Sequence, residues 1–214
     1  MLGHDSSFVS ADIFTQYHRY SGQVSTRGNR LADFLNDPTT EVLELRNVRV
    51  TQPSNVASES IECAQLQLKK HTIILAVPTG IYEAPGKRLY SYVEKQHYVA
   101  HVMLPAYSLV GTLHLPARAN HWMFLCEGTT TASFIPITDV AVRFANGGDP
   151  VRNKVVIFHR RYIESLFISE RPTEDHSIQD LAAELRALDR EKSATPPKQE
   201  FAASGVWGGS SLVR

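Results

Sequence analysis

"RLADFLNDPTTEVLELRNVRV", residues 30–50, is the stretch on which the reading of the fold turns. Leu31, Phe34 and Leu35 recur at i, i+3, i+4, one apolar stripe for a helix of a turn or two, with Asn36 as its stop. From Val42 the period changes. Val42, Leu43, Leu45, Val48 and Val50 stand in near-alternation with charged residues between them, which predicts a strand.

Working outward, the second half of the chain repeats this order. "YSGQVST", "RLADFLN", "EVLELRNVRV" and "LKKHTIIL" are answered by "LVGTLHL", "NHWMFLC", "SFIPITDVAVRF" and "VRNKVVIF". Gly22 answers Gly111, Phe34-Leu35 answer Phe124-Leu125, Asn47-Val48 answer Asp139-Val140, and Val50 answers Val142. Self-similarity of this kind points to duplicated supersecondary units. Each unit reads as strand, strand with an inner Gly, short helical crossover, strand, strand, which is the content of a small open barrel. The inner Gly suits a tight bend or bulge. A pattern present in both copies is expected to be core, so Leu31, Phe34 and Leu35 should plug one barrel, and Trp122, Phe124 and Leu125 the other.

The remaining strand signals agree. "KKHTIILAVP" is a β-branched run stopped by Pro78, and "QHYVAHVMLP" alternates, with Tyr98, Ala100 and Val102 on one face. "YSLVGTLHLP" ends at Pro116, "ANGGDP" is a turn signal before "VRNKVVIFHRRY", and residues 9–24 supply a leading strand or a short helix. Further on, Ser177 and Asp180 form a capping-box pattern ahead of Ile178, Leu181, Leu185 and Leu188 at helical spacing. The predicted fold is therefore mainly β (a β-rich α+β chain), with two tandem small β-barrel-like units of the SH3/Sm kind. They span 1–78 and 98–170 and are joined by a linking hairpin at 79–97. An amphipathic helix (171–192) and a disordered tail (193–214) follow.

Arg30, Leu31, Asp33, Phe34, Leu35 and Asn36, together with Val42, Leu43, Leu45, Asn47, Val48 and Val50, carry a family resemblance. The chain resembles a group of bacterial proteins with an "RL-x-DFLN … FL-x-L-x-DV-x-V" pattern, Asn47 standing where that group has Asp. The resemblance covers roughly residues 20–168. It implies the β units and no activity.

Bulk properties narrow the function classes. The chain of 214 residues is 43% hydrophobic, enough for a sizeable core. It balances 22 basic against 22 acidic residues, which argues against a constitutive binder of nucleic acid or anionic membrane. Cys63 and Cys126 stand far apart in no paired spacing, which suits a reducing compartment. No basic-then-apolar leader opens the sequence and no run approaches a membrane span, so a cytoplasmic location is expected.

Candidate sites are few. His97 and His101, four apart, would sit ~13 Å from each other on a strand, too far to share a metal; a third ligand would have to come from His114, His121 or Cys126. Cys126 has Glu127 beside it and His121 nearby, without the geometry of a nucleophile and base. No G-x-S-x-G elbow occurs, and "PTG", "NGG" and "APGK" do not follow nucleotide-loop spacing. Lys87 and Arg88, with Arg160, Arg161 and Tyr162, mix bases with aromatics and can serve single-stranded nucleic acid by phosphate contact and stacking.

The leading expectation is a non-enzymatic interaction, scaffold or regulatory protein, without cofactor or metal, that self-associates or docks on a protein partner. Leu181, Leu185, Leu188 and Trp207 are its candidate anchors. The alternatives are an Sm-like binder of single-stranded RNA and, third, a metal-dependent enzyme.

Overall fold

The computed structural model describes residues 8–52, 60–80, 95–116, 120–126, 132–145 and 149–169. The expected C-terminal helix at 171–192, the tail, and most of the linking hairpin lie outside the described residues.

The leading segment forms two strands, β1 (Phe8–Phe14) and β2 (Arg19–Ser25), with no helix ahead of them among the described residues. Then come α1 (Leu31–Asn36), β3 (Val42–Thr51), β4 (Ile61–Lys69) and β5 (Leu75–Pro78). The second half has β6 (Lys95–Leu104), β7 (Tyr107–Pro116), α2 (His121–Leu125), β8 (Phe134–Phe144), β9 (Val151–His159) and β10 (Ser165–Ile168). Two boundaries differ from the sequence expectation. "KKHTIILAVP" is no single strand, because Lys70–Thr72 make a 3-10 turn before β5, and Arg160–Tyr162 make its counterpart after β9. The other is that β6 begins at Lys95, inside the span expected to link the two units.

All strand pairings are antiparallel. In the first half β1 pairs with β2, β2 with β3, β3 with β4, and β5 returns to β1; in the second, β6, β7, β8 and β9 follow in turn and β10 returns to β6. β5 also pairs with β9, so the strands form one ten-stranded sheet in the order β10-β6-β7-β8-β9-β5-β1-β2-β3-β4. Among the described residues the sheet is open, with β10 and β4 at its ends, so the mainly β expectation takes the form of one antiparallel sheet and not a closed barrel.

The repeated glycines now have a cause. Register slips in β2 between Ser21 and Gln23, opposite Asn47-Val48, and in β7 between Val110 and Thr112, opposite Asp139-Val140. Two residues oppose one, which is a β-bulge. A Cβ on Gly22 would lie 2.9 Å from the Arg46 carbonyl oxygen, and one on Gly111 would lie 2.7 Å from that of Thr138. Across each bulge, Asn47 and Asp139 adopt φ 51°, a left-handed conformation that Asn and Asp tolerate better than other side chains.

Burial follows the sheet more than the halves. One cluster gathers β6–β9 and draws in Phe14, Ile74, Leu75 and Val77 from the first half. The other gathers β1–β4 and α1 and draws in Phe134 and Ile157 from the second. Leu31, Phe34 and Leu35 are buried as their spacing predicts, each worth about 1.5–3 kcal/mol in apolar burial. In α2 the expected stripe is displaced: Trp122 is 51% exposed, while Leu125 is buried, Phe124 packs on the core, and His121 meets the Tyr98 ring edge-on at 4.2 Å. Asn120 caps α2 by accepting from the Met123 N–H at 3.1 Å, so α2 starts in step with α1, and His121 takes the place of Leu31 while Trp122 takes that of Ala32.

Since the nearest atom to each would-be Cβ is a backbone carbonyl oxygen that cannot swing aside, Gly111→Ala should lower unfolding free energy by about 1–3 kcal/mol in urea titrations. Gly22→Ala, with slightly more room, should lose less. Equal stability of Gly111→Ala and the parent chain would refute the bulge packing.

Candidate functional site

Two features of the sheet stand apart: the seam where its halves join and the edges where it ends. At the seam, Leu75 and Ala76 of β5 lie opposite Phe158 and Ile157 of β9, and the His159 N–H donates to the Ile74 carbonyl at 2.8 Å. Asn36, the last residue of α1, reinforces this ladder. Its Nδ2 donates to the Phe134 carbonyl at 2.8 Å, and its Oδ1 accepts from the N–H groups of both Ser133 and Phe134 at 2.8 Å. The Tyr162 hydroxyl donates to the His71 carbonyl at 2.6 Å, and the Tyr107 hydroxyl to that of Thr15 at 3.0 Å. Burial holds the Tyr107 phenol well above its ordinary range.

Two basic groups are buried beside the seam. Lys70 donates from Nζ to the carbonyls of Phe34 (2.6 Å) and Asp37 (3.0 Å) and to Thr40 Oγ1 (2.7 Å), so its ammonium satisfies carbonyls at the end of α1. Burial lowers its pKa, and nearby Asp37 acts in the opposite sense. His159 packs edge-on against Phe134 at 4.5 Å and accepts the Arg161 N–H on Nδ1 at 3.1 Å. Burial first, then the charges of Arg161, Arg160 and His71, push its pKa down to about 4. It is a neutral ring wedged into the seam.

The ends of the sheet carry exposed apolar side chains, Ile61 on β4 (69%) and Phe167 on β10 (58%). Beside the C-terminal end of β4 runs a cleft of about 460 Å³ lined by Tyr17, Tyr20, Gln67, Leu68, Lys69 and Tyr162 among others. A second depression, of about 590 Å³, lies over Arg19, Asn47, Arg49 and Glu62. There Arg49 and Glu62 form an exposed ion pair at 2.9 Å, and Arg19 is tied to Asp12 at 2.6 Å.

The residues singled out in the sequence fall as follows. Leu181, Leu185, Leu188, Trp207, Lys87 and Arg88 lie outside the described residues. Arg160, Arg161 and Tyr162 share one 3-10 turn, and the Tyr162 phenol is engaged at the seam. His97 and His101 are not brought together: His97 faces His114 across the ladder, rings 4.4 Å apart, while His101 Nε2 meets Ser108 Oγ at 2.7 Å. Burial, then the neighbouring His97 and Lys95, lowers the pKa of His114. Among the described residues no group of three or more His, Cys, Asp or Glu is placed to hold a metal, and no helix is long and apolar enough to cross a membrane. Sequence reasoning missed Lys70 and His159 as buried groups. A basic residue in a run of strand formers reads as solvent-facing until the 3-10 turn redirects it.

No protein-family model, curated protein or solved structure matches this chain.

Asn36→Ala would strand the N–H groups of Ser133 and Phe134 and should cost about 1–3 kcal/mol of stability in urea titrations. No loss would show that the clamp is dispensable. The His159 shift sets a pH window. With a depressed folded pKa, the unfolded chain takes up the proton first as pH falls below 6.5, so this contribution is whole above 6.5 and lost by about 4. His159→Gln should flatten that decline in urea midpoints measured across the window; an unchanged slope would remove His159 as its source.

Proposed function

We propose that this chain is a non-enzymatic interaction protein, built from two tandem SH3/Sm-like β units, that works through protein–protein contacts made by its strand edges. The shared strand order and the matched bulges at Gly22 and Gly111 support the two-unit reading. The observation that carries the function is the pair of terminal strands, β4 and β10, each presenting a large apolar side chain to solvent, Ile61 and Phe167. An open edge offers a row of backbone donors and acceptors, and an added strand satisfies them while pockets for its side chains supply selectivity. Leu181, Leu185, Leu188 and Trp207, outside the described residues, belong to this proposal as further anchors, and the cytoplasmic location goes with it.

A photo-crosslinking amino acid at position 167 or 61, in the full chain inside the producing cell, should yield adducts with polypeptide. The same probe at the exposed Met123 of α2 should not. Absence of protein adducts at both edges would overturn the reading. Salt-sensitive retention on a nucleic-acid column that Arg160→Ala with Arg161→Ala abolishes would replace it with the RNA-binding alternative.

A further inference from the structure

The seam between β5 and β9 is one of two places in this molecule where the same kind of junction can form. The halves share a register: Ala11 opposite Gly22 and Pro78 in the first corresponds to Ala100 opposite Gly111 and Ile168 in the second. Carried along the strands, this makes β10 the counterpart of β5, with Ser165 and Leu166 in the places of Leu75 and Ala76. It likewise makes β4 the counterpart of β9, with Leu68 and Gln67 in the places of Phe158 and Ile157. β5 and β9 are joined within the chain, whereas β10 and β4 end the sheet among the described residues.

We infer that β10 of one copy of this chain pairs antiparallel with β4 of a second copy, repeating the internal seam with Ser165 opposite Leu68 and Leu166 opposite Gln67. The inference rests on the edge-contact reading proposed above and names a second copy as the partner.

Three observations support that occupant. The first is backbone polarity. Lys70 N–H donates inward to Glu41, so alternation along an antiparallel strand turns the Lys69 and Gln67 N–H groups outward. Lys69 stands where His159 stands, and His159 N–H donates to Ile74 across the internal seam. The counterpart acceptor is the Glu164 carbonyl, whose own N–H is already given to Met103 just as that of Ile74 is given to Phe14. The second is the receiving surface. Tyr20, Gln67, Leu68 and Lys69, which line the cleft beside β4, correspond to Leu109, Ile157, Phe158 and His159. In the second half those residues either pair with β5 or share a core with Leu75 and Val77. The third is the side chain delivered. Phe167, 58% exposed on β10, occupies the place of Val77, which the internal seam buries to 6%.

The contact is heterologous, one edge meeting a different edge, so it propagates head to tail until the rotation per copy closes it. It lacks two clamps of the internal seam, since Cys126 stands in the place of Asn36 and Thr72 in that of Tyr162. The junction between copies is accordingly weaker than the junction within one.

Light scattering on the purified full chain should give a mass above one chain that falls on dilution. Lys69→Pro blocks the β4 edge with little strain, because Lys69 already has φ −69° and its N–H faces outward. Phe167→Asp blocks the β10 edge. Each variant alone should be monomeric with an unchanged circular-dichroism spectrum and a melting temperature that no longer depends on protein concentration. Mixed, the two should recover a species of two chains, since the intact β10 of one fits the intact β4 of the other. A photo-crosslinker at 167 in the purified chain should map to peptide 61–69 of a second copy.

A monomeric parent chain at every concentration, failure of the mixed variants to associate, or adducts mapping to another β10 or to residues 170–214 would overturn the inference. If polypeptide adducts still form at the edges in the cell, only the choice of partner has failed. If they do not, the edge-contact function has failed with it.

Discussion

The antiparallel pairing of β5 with β9 is the constraint on which the rest of the molecule depends. β5 is four residues long and serves both halves: it closes the strand order of the first by pairing with β1 and joins the second by pairing with β9. So short a ladder holds little by itself. It persists because its side chains alternate between two cores, Leu75 and Val77 entering one and Ala76 the other. Buried backbone at this junction must also find partners, and Asn36 supplies them from outside the ladder, while Tyr162 ties the exposed His71 carbonyl across the junction.

The two bulges let short strands reach that far. An inserted residue increases twist and bends the strand that carries it. Placed in β3 against Gly22 and in β8 against Gly111, it lets the last strand of each half return to its first. Glycine is required where the partner carbonyl approaches within 3 Å of a would-be Cβ. Asn47 and Asp139 accept the left-handed backbone that the extra residue imposes. At both bulges a glycine thus faces a residue with left-handed backbone.

One sheet with two unlike ends follows from this arrangement. Joined through β5 and β9, the strands leave one edge on β4 and one on β10 among the described residues. Charged and polar residues along β4 moderate its edge, while Ile61 and Phe167 keep apolar surface at both. The buried His159 adds acid sensitivity to the seam itself, because protonation would place a cation between Phe134 and two arginines.

Much of this was legible in the residues alone. Alternation located β3, β6, β7, β8 and β9, the helical stripe located Leu31, Phe34 and Leu35, and comparison of the halves marked Gly22 with Gly111 and Asn47 with Asp139 as structural. These are local signals, set by side-chain period and by backbone conformations that few residue types adopt. The partnership of β5 with β9, the task of Asn36 and the burial of Lys70 and His159 were not legible, because each depends on groups far apart in the chain. The exposure of Trp122 escaped as well, since in a helix it lies two residues before Phe124, about 200° round from it, and so off the stripe that Leu125 and Phe124 bury. By itself the sequence determined that the chain would be mainly β, with Gly22 and Gly111 at places where its strands bend. Only the tertiary structure decided which edges those strands share, because hydrogen-bonding capacity is the same along any β backbone and three-dimensional packing selects the partner.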